Sequence, residues 1–268
     1  MLKMFKRSYA LYWILVIPGA IAIYAAIWQK YPHSNLALLA IPLIAIWIYA
    51  VATIAEIYAL KLNEKIIALL TEECNPKDYI AFYEKALKTK KFNKIKNFIL
   101  LNLNTGYHSS GDAEESKRIL DMVNGFPSTK SGAVNSVCYF NNLAGYYLRI
   151  NDLENAENTL GNMKEALKNP KLNRMNYEIY YQLYNSKNVI LNMLRGNYGG
   201  AEDHFNILFD KEKSLLGKVS AKYSLGELYL RVGNNEKDML AYEYVLQNGK
   251  ETYYAKKASE YLGKPLAY

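Results

Sequence analysis

Hydrophobic positions are distributed along this chain in two different ways. From Tyr9 to Trp28 and again from Leu36 to Ala55 they run on with few polar interruptions and without a charged residue. From residue 61 onward they recur every three or four positions among Lys, Glu and Asn. The first pattern predicts two helices that are apolar on all sides, about 9–28 and 36–58. At helical rise each run covers the roughly 30 Å of a bilayer's hydrocarbon. The second pattern predicts one amphipathic helix after another, with no period-two alternation for strands. The expected fold class is all-α: an N-terminal two-helix transmembrane hairpin over residues 1–60, then a helical domain over 61–268.

Proline and glycine punctuate this pattern. Pro18 and Pro42 lie inside the apolar runs, where each withholds a backbone N–H and kinks its helix. Between Pro42 and Pro76 there is neither Gly nor Pro, and Leu60, Ile66, Ile67 and Leu70 keep a helical apolar spacing. The second membrane helix is therefore expected to run without a break into the first helix of the domain, holding that domain at a fixed angle. Further on, polar turns recur at Glu73-Cys74-Asn75-Pro76, Ser110-Gly111-Asp112, Ile150-Asn151-Asp152, Arg195-Gly196-Asn197 and Val232-Gly233-Asn234. Each of the last four ends one amphipathic segment and starts another, so the repeating unit is helix, tight turn, helix.

The best-preserved unit reads Leu225-Gly226-Glu227-Leu228-Tyr229, Arg231-Val232-Gly233-Asn234, then Tyr242 and Val245. Others give Phe140, Leu143-Ala144, Tyr147, Asn151-Asp152, Ala156 and Leu160; Gly196-Asn197-Tyr198, Ala201 and Phe205; and Leu103-Asn104, Tyr107, Gly111-Asp112, Ser116 and Leu120. The earliest shows Tyr79 and Phe82-Tyr83-Glu84-Lys85-Ala86-Leu87. This series resembles the tetratricopeptide repeat (TPR), with its Leu-Gly, later Tyr, small residue and following aromatic. Aligned on the small-residue position, Tyr79, Ser116, Ala156, Ala201 and Asp238 stand in register at spacings of 37, 40, 45 and 37. The family's period is about 34, and Tyr79 and Asp238 depart from the small residue expected. The resemblance implies an α-solenoid of TPR-like helix pairs closed by a helix over residues 253–262, and with it protein or peptide binding.

Charge adds an orientation. The net charge is +8. Lys3, Lys6 and Arg7 precede the first run, Lys30 alone lies between the runs, and Lys61 and Lys65 follow the second. By the positive-inside rule the turn faces out and both ends face the cytoplasm, so the expected location is a bacterial plasma membrane with the repeat domain inside. A signal peptide is the rival reading of the first run, but its apolar core is too long. Glu56 sits at the expected cytoplasmic boundary, where a solvated carboxylate is the ordinary reading and a proton relay the alternative. Trp28 suits an interfacial belt, while Trp13 and Trp47 lie deeper.

A lysine cluster follows at Lys85, Lys88, Lys90, Lys91, Lys94 and Lys96, with no acid between Glu84 and Asp112. Close behind a membrane helix it marks an anionic lipid contact at Lys88, Lys90, Lys91, Lys94 and Lys96, in preference to nucleic acid; a solvated inter-repeat turn is the plain alternative.

The chain carries no recognisable catalytic or cofactor motif. His108-Ser109-Ser110-Gly111-Asp112 holds the residue types of a hydrolase triad, but neighbours in sequence cannot serve one another as nucleophile, base and orienter. His33 and His204 lack metal-ligand spacing, and Cys74 and Cys138 are too far apart for a zinc site or a secreted disulfide framework. No cofactor, no metal and no enzymatic activity is expected. What the resemblance implies instead is a concave groove lined by the first helix of each repeat. Fourteen residues before the aligned small position stand Lys65, Asn102, Asn142, Lys187 and Ser224, flanked by Asn141 and Tyr223. Lys65, Asn102, Asn141, Asn142, Lys187 and Tyr223 are the candidate peptide-binding residues, able to hold a carboxylate and backbone amides. Thr105, Gly145 and Ile190 replace the further Asn of the family's carboxylate-binding pattern. The function expected is a membrane-anchored adaptor or scaffold. The rivals are a structural or assembly subunit of a larger membrane complex, and an enzyme with an unrecognised site.

Overall fold

A computed structural model describes residues 2–30, 40–89 and 95–266, except for the side chains of 2–11 and 55–62. Among the described residues the regular elements are all helices, with no strand. Two compact units divide at Ile67 and Ala68.

The first unit holds α1 (Leu2–Lys30) and the larger part of α2 (Ala40–Thr71). Pro18 lies inside α1 and removes the N–H that would bond the carbonyl one turn back. Beside this gap the Trp47 indole of α2 donates to the Leu15 carbonyl at 3.2 Å. Val16, Ala40 and Val51 are buried, but many apolar side chains of the two helices point away from protein: Ile14 is 66% exposed, Ile21 63%, Ile41 65% and Ile46 63%. Branched alkyl groups left bare in such numbers need a cover other than water.

One helix, Tyr12–Lys30, is long and apolar enough to cross a membrane, whereas the apolar part of α2, Ala40–Ile54, is shorter. Among the described residues one helix is thus of spanning length, and the second expected helix, 36–58, lies partly outside them. Residues 31–39, in which the second run was expected to begin, lie outside the described residues, as does the side chain of Glu56. The backbone of α2 continues unbroken to Thr71, in line with the absence of Gly and Pro after Pro42.

The second unit takes up the end of α2 and then α3 (Pro76–Leu87), α4 (Lys96–Ser110), α5 (Ala113–Asp121), α6 (Lys130–Arg149), α7 (Leu153–Leu167), α8 (Arg174–Leu194), α9 (Ala201–Lys211), α10 (Leu215–Arg231), α11 (Asn235–Asn248) and α12 (Tyr253–Leu262). One turn recurs between its helices. Gly111, Asn151, Gly196 and Gly233 all adopt left-handed backbone conformations, with φ of 91°, 59°, 83° and 75°. The next residue in each case returns its N–H to the carbonyl five positions back: Asp112 to Tyr107, Asp152 to Tyr147, Asn197 to Asn192 and Asn234 to Tyr229. This is the Schellman closure of a helix end. In three of the four the same residue then caps the next helix, Asp112 accepting from Glu115 N–H, Asp152 from Asn155 and Asn234 from Lys237. Cys74, with φ of 49°, and the cap Asn75 give a related turn before α3.

Consecutive helices pack against each other from α3 to α12. The core is built in successive portions, each shared by consecutive helices. Val137, Ala144 and Leu148 of α6 meet Ala156, Leu160 and Met163 of α7 and Leu191 of α8. Met193 of α8 joins Phe205 of α9 and Leu225 and Tyr229 of α10, and Val219 of α10 joins Tyr242 and Val245 of α11 and Ala258 of α12. The aligned positions Tyr79, Ser116, Ala156, Ala201 and Asp238 are all buried. The even-numbered helices also touch across pairs, α4 with α6, α6 with α8 and α10 with α12, and α12 returns to α4. Their convergence gives the unit an inner side on which side chains from α4, α6, α8, α10 and α12 meet.

Candidate functional site

Of the expected groove residues, the structure brings some together and spends others on packing. Lys65 belongs to the first unit and is exposed on α2. Asn102 accepts from the Tyr79 hydroxyl at 2.8 Å and donates to the Phe98 carbonyl, so it ties α3 to α4. Asn142 donates to the Leu101 carbonyl at 3.2 Å and the Thr105 hydroxyl at 3.3 Å, while Asn141 donates to its side-chain oxygen. Both Asn142 donor contacts therefore hold α6 on α4. Asn141 keeps a buried side-chain oxygen without a partner.

Lys187 of α8 is placed differently. A methyl group at Gly145 of α6 would stand 2.9 Å from Lys187 Nζ, 3.3 Å from His108 Cε1 and 3.4 Å from His108 Nε2. The bare backbone of Gly145 thus makes room for an ammonium from α8 and an imidazole from α4. Four residues after Gly145, one helical turn, Arg149 donates from Nη1 to the His108 carbonyl at 2.5 Å. Its guanidinium carbon stands 4.1 Å from the centre of the Tyr253 ring, contributed by α12. Tyr223 of α10 completes this aromatic side, with ring centres 5.1 Å from Tyr254 and 6.0 Å from Tyr253.

The sign of charge here is uniform. Burial and the neighbouring Arg149 bring the Lys187 ammonium down to about 8. Burial, then Arg149 and Lys187, hold His108 well below the usual imidazole range, and burial lowers Arg149. The charged and titratable groups acting on these three are one another and the hydroxyls of Tyr253, Tyr254 and Tyr223, with no carboxylate among them. Glu227, an acid that acts on Tyr223, accepts from the Tyr242 hydroxyl at 2.8 Å and pairs with Arg231. Two half-buried cations without a counter-charge are costly to a fold.

Sequence reasoning reached Lys187 and Tyr223 but missed Arg149 and His108. The signal was position along a stripe, since Gly145 and Arg149 follow Asn141 at successive turns of one helix face. The neighbours of His108 serve the helix end, Ser110 donating to the Tyr107 carbonyl and Asp112 capping α5.

A Ser–His contact lies elsewhere in the unit: Ser186 Oγ is 3.0 Å from His204 Nε2. The Ser186 hydroxyl donates to the Gln182 carbonyl, and no acid orients the ring, so the pair lacks the third member of a nucleophilic triad. Among the described residues no group of three His, Cys, Asp or Glu could hold a metal ion. In the basic cluster Lys88 and Lys96 are exposed, and Lys90, Lys91 and Lys94 lie outside the described residues. No family model, curated protein or solved structure matches the chain.

Proposed function

We propose that this chain is a membrane-anchored adaptor whose TPR-like solenoid binds a protein or peptide partner along its inner side. The observation that carries the reading is the recurrent turn at Gly111, Asn151, Gly196 and Gly233, with the same closure each time and a buried residue five positions past each left-handed residue. A repeat defined by geometry as well as residue type supports the TPR resemblance, and convergent even-numbered helices are what such a solenoid uses to line a groove. The apolar exterior of α1 and the start of α2 supports an anchor in lipid, with α2 as the second arm of a hairpin and the repeats on the cytoplasmic side of a bacterial plasma membrane. Confinement to that surface raises the local concentration of whatever the repeats hold. The exposed Lys88 and Lys96 agree with a contact to anionic lipid headgroups.

Photo-crosslinking in the native membrane tests this function. Asn141 stands one turn before Gly145, and Leu183 one turn before Lys187, each on the stripe that leads to the cluster. A crosslinking residue at either position should trap the same discrete partner, whereas one at Glu114 of α5 or Glu154 of α7 should not. Equal trapping from both sets would remove the case for an inner groove.

A further inference from the structure

We propose that Lys187 and Arg149, with His108 beside them, form a binding site for a phosphate group, either free phosphate or the terminal group of a phosphate monoester. The inference stands apart from the adaptor reading, because it concerns a small ligand and needs no partner protein.

Donor supply is the first argument. Among the described residues Lys187 makes no ion pair and no hydrogen bond, so the three N–H donors of a half-buried side chain that sits over Gly145 are left for a ligand. Arg149 spends one donor on the His108 carbonyl and one face on the Tyr253 ring, which leaves the remaining N–H groups of its fork. The imidazole edge of His108 reaches the same space and supplies a further N–H or an acceptor according to its tautomer.

Charge is the second. A singly charged carboxylate would neutralise one of the two cations and leave the other uncompensated, whereas the dianion of a phosphate or phosphate monoester matches both. Enclosure is the third. α12 closes the inner side: Tyr253 lies against Gly111 and covers Arg149, and Lys256 Nζ donates to the Ser110 carbonyl at 2.9 Å.

The test uses the full chain in zwitterionic lipid nanodiscs, in chloride buffer of fixed ionic strength, titrated with inorganic phosphate. The wild type should show a saturable rise in melting temperature of several degrees and a matching broadening of the free phosphate ³¹P signal. Lys187→Met should melt higher than wild type in chloride, because an unpaired buried cation is gone, and should lose at least ten-fold in apparent phosphate affinity. Lys187→Arg should keep the response, and Lys187→Gln serves if the Met variant fails to fold. Acetate at the same ionic strength should not reproduce the effect. The same rise in wild type and Lys187→Met would mark a general salt effect and overturn the site, as would an equal response to acetate. Stabilisation by an acidic peptide with none by phosphate would overturn it too, while leaving the adaptor function intact.

Discussion

Trp47 occupies the space that a side chain at Gly19 would need: a methyl there would lie 2.2 Å from the indole nitrogen, which itself bonds the Leu15 carbonyl. The glycine and the indole hold α1 and α2 together at the turn weakened by Pro18, where apolar packing alone gives little drive if lipid surrounds both helices.

Gly19→Leu should accordingly push the two helices apart and lower the stability of the full chain in neutral detergent by about 1–3 kcal/mol. Trp47→Leu alone loses the hydrogen bond, about 1 kcal/mol. Combined, the two changes should cost less than their sum, since the smaller side chain yields room. Simple additivity in this double-mutant cycle would show that the contact does not organise the pair.

Two glycines of the second unit should respond with opposite signs. A methyl at Gly226 would stand 3.0–3.2 Å from ring carbons of Tyr242, a fully buried side chain with nowhere to retreat. Gly226→Ala should therefore destabilise the unit by about 1–3 kcal/mol. Gly161, exposed on α7, has nothing within 4 Å of the added methyl. Gly161→Ala should stabilise by about 0.5–1 kcal/mol through helix propensity alone. Chemical denaturation of both variants checks the pair, and a shared sign would contradict the packing of α10 on α11.

The expected topology can be checked by labelling. In a background lacking Cys74 and Cys138, a cysteine at Ser34 should react with an impermeant reagent in intact cells, and one at Ser131 should not. The reverse pattern would remove the cytoplasmic adaptor from consideration.

What could be read from the sequence was local. A glycine or asparagine that must turn left-handed, followed by an Asp or Asn cap, is a three-residue event, so the turns at Gly111, Asn151 and Gly233 were legible from residue types alone. The buried register of Ser116, Ala156 and Ala201 followed from it. What depended on the meeting of distant helices was hidden. Asn142 looked free, but a sequence does not reveal which carbonyl an amide will find, and here the Leu101 carbonyl took it. Arg149 and His108 become neighbours only because α4 and α6 converge, and Tyr253 reaches Arg149 only because α12 turns back to α4. Runs of apolar residues announced the two N-terminal helices, and the bare alkyl groups of Ile14, Ile21, Ile41 and Ile46 follow from them.

The unpaired state of Lys187 gives the fold a pH dependence whose sign can be worked out. Burial and Arg149 take its ammonium from the ordinary 10.5 to about 8 in the folded chain. Below about pH 8 both folded and unfolded chains carry the proton, and the full cost of the buried charge is present. As pH rises through 8 the folded chain sheds the proton while the unfolded chain keeps it, so this residue's contribution increases toward 10.5. Cys74 and Cys138 act in the opposite direction from pH 9 upward, because burial holds both thiols at about 11 against an ordinary 9.0. The window in which Lys187 dominates is therefore about pH 8 to 9, where one unit of difference in proton binding is worth at most about 1.4 kcal/mol. Wild type should gain up to about 1 kcal/mol over that unit relative to Lys187→Met, which has no ammonium to titrate. Urea melts of both proteins at pH 7, 8 and 9 in a phosphate-free buffer measure the difference. Curves that stay parallel across the three values would mean that Lys187 reaches water in the folded state and that its charge is not confined beside Arg149.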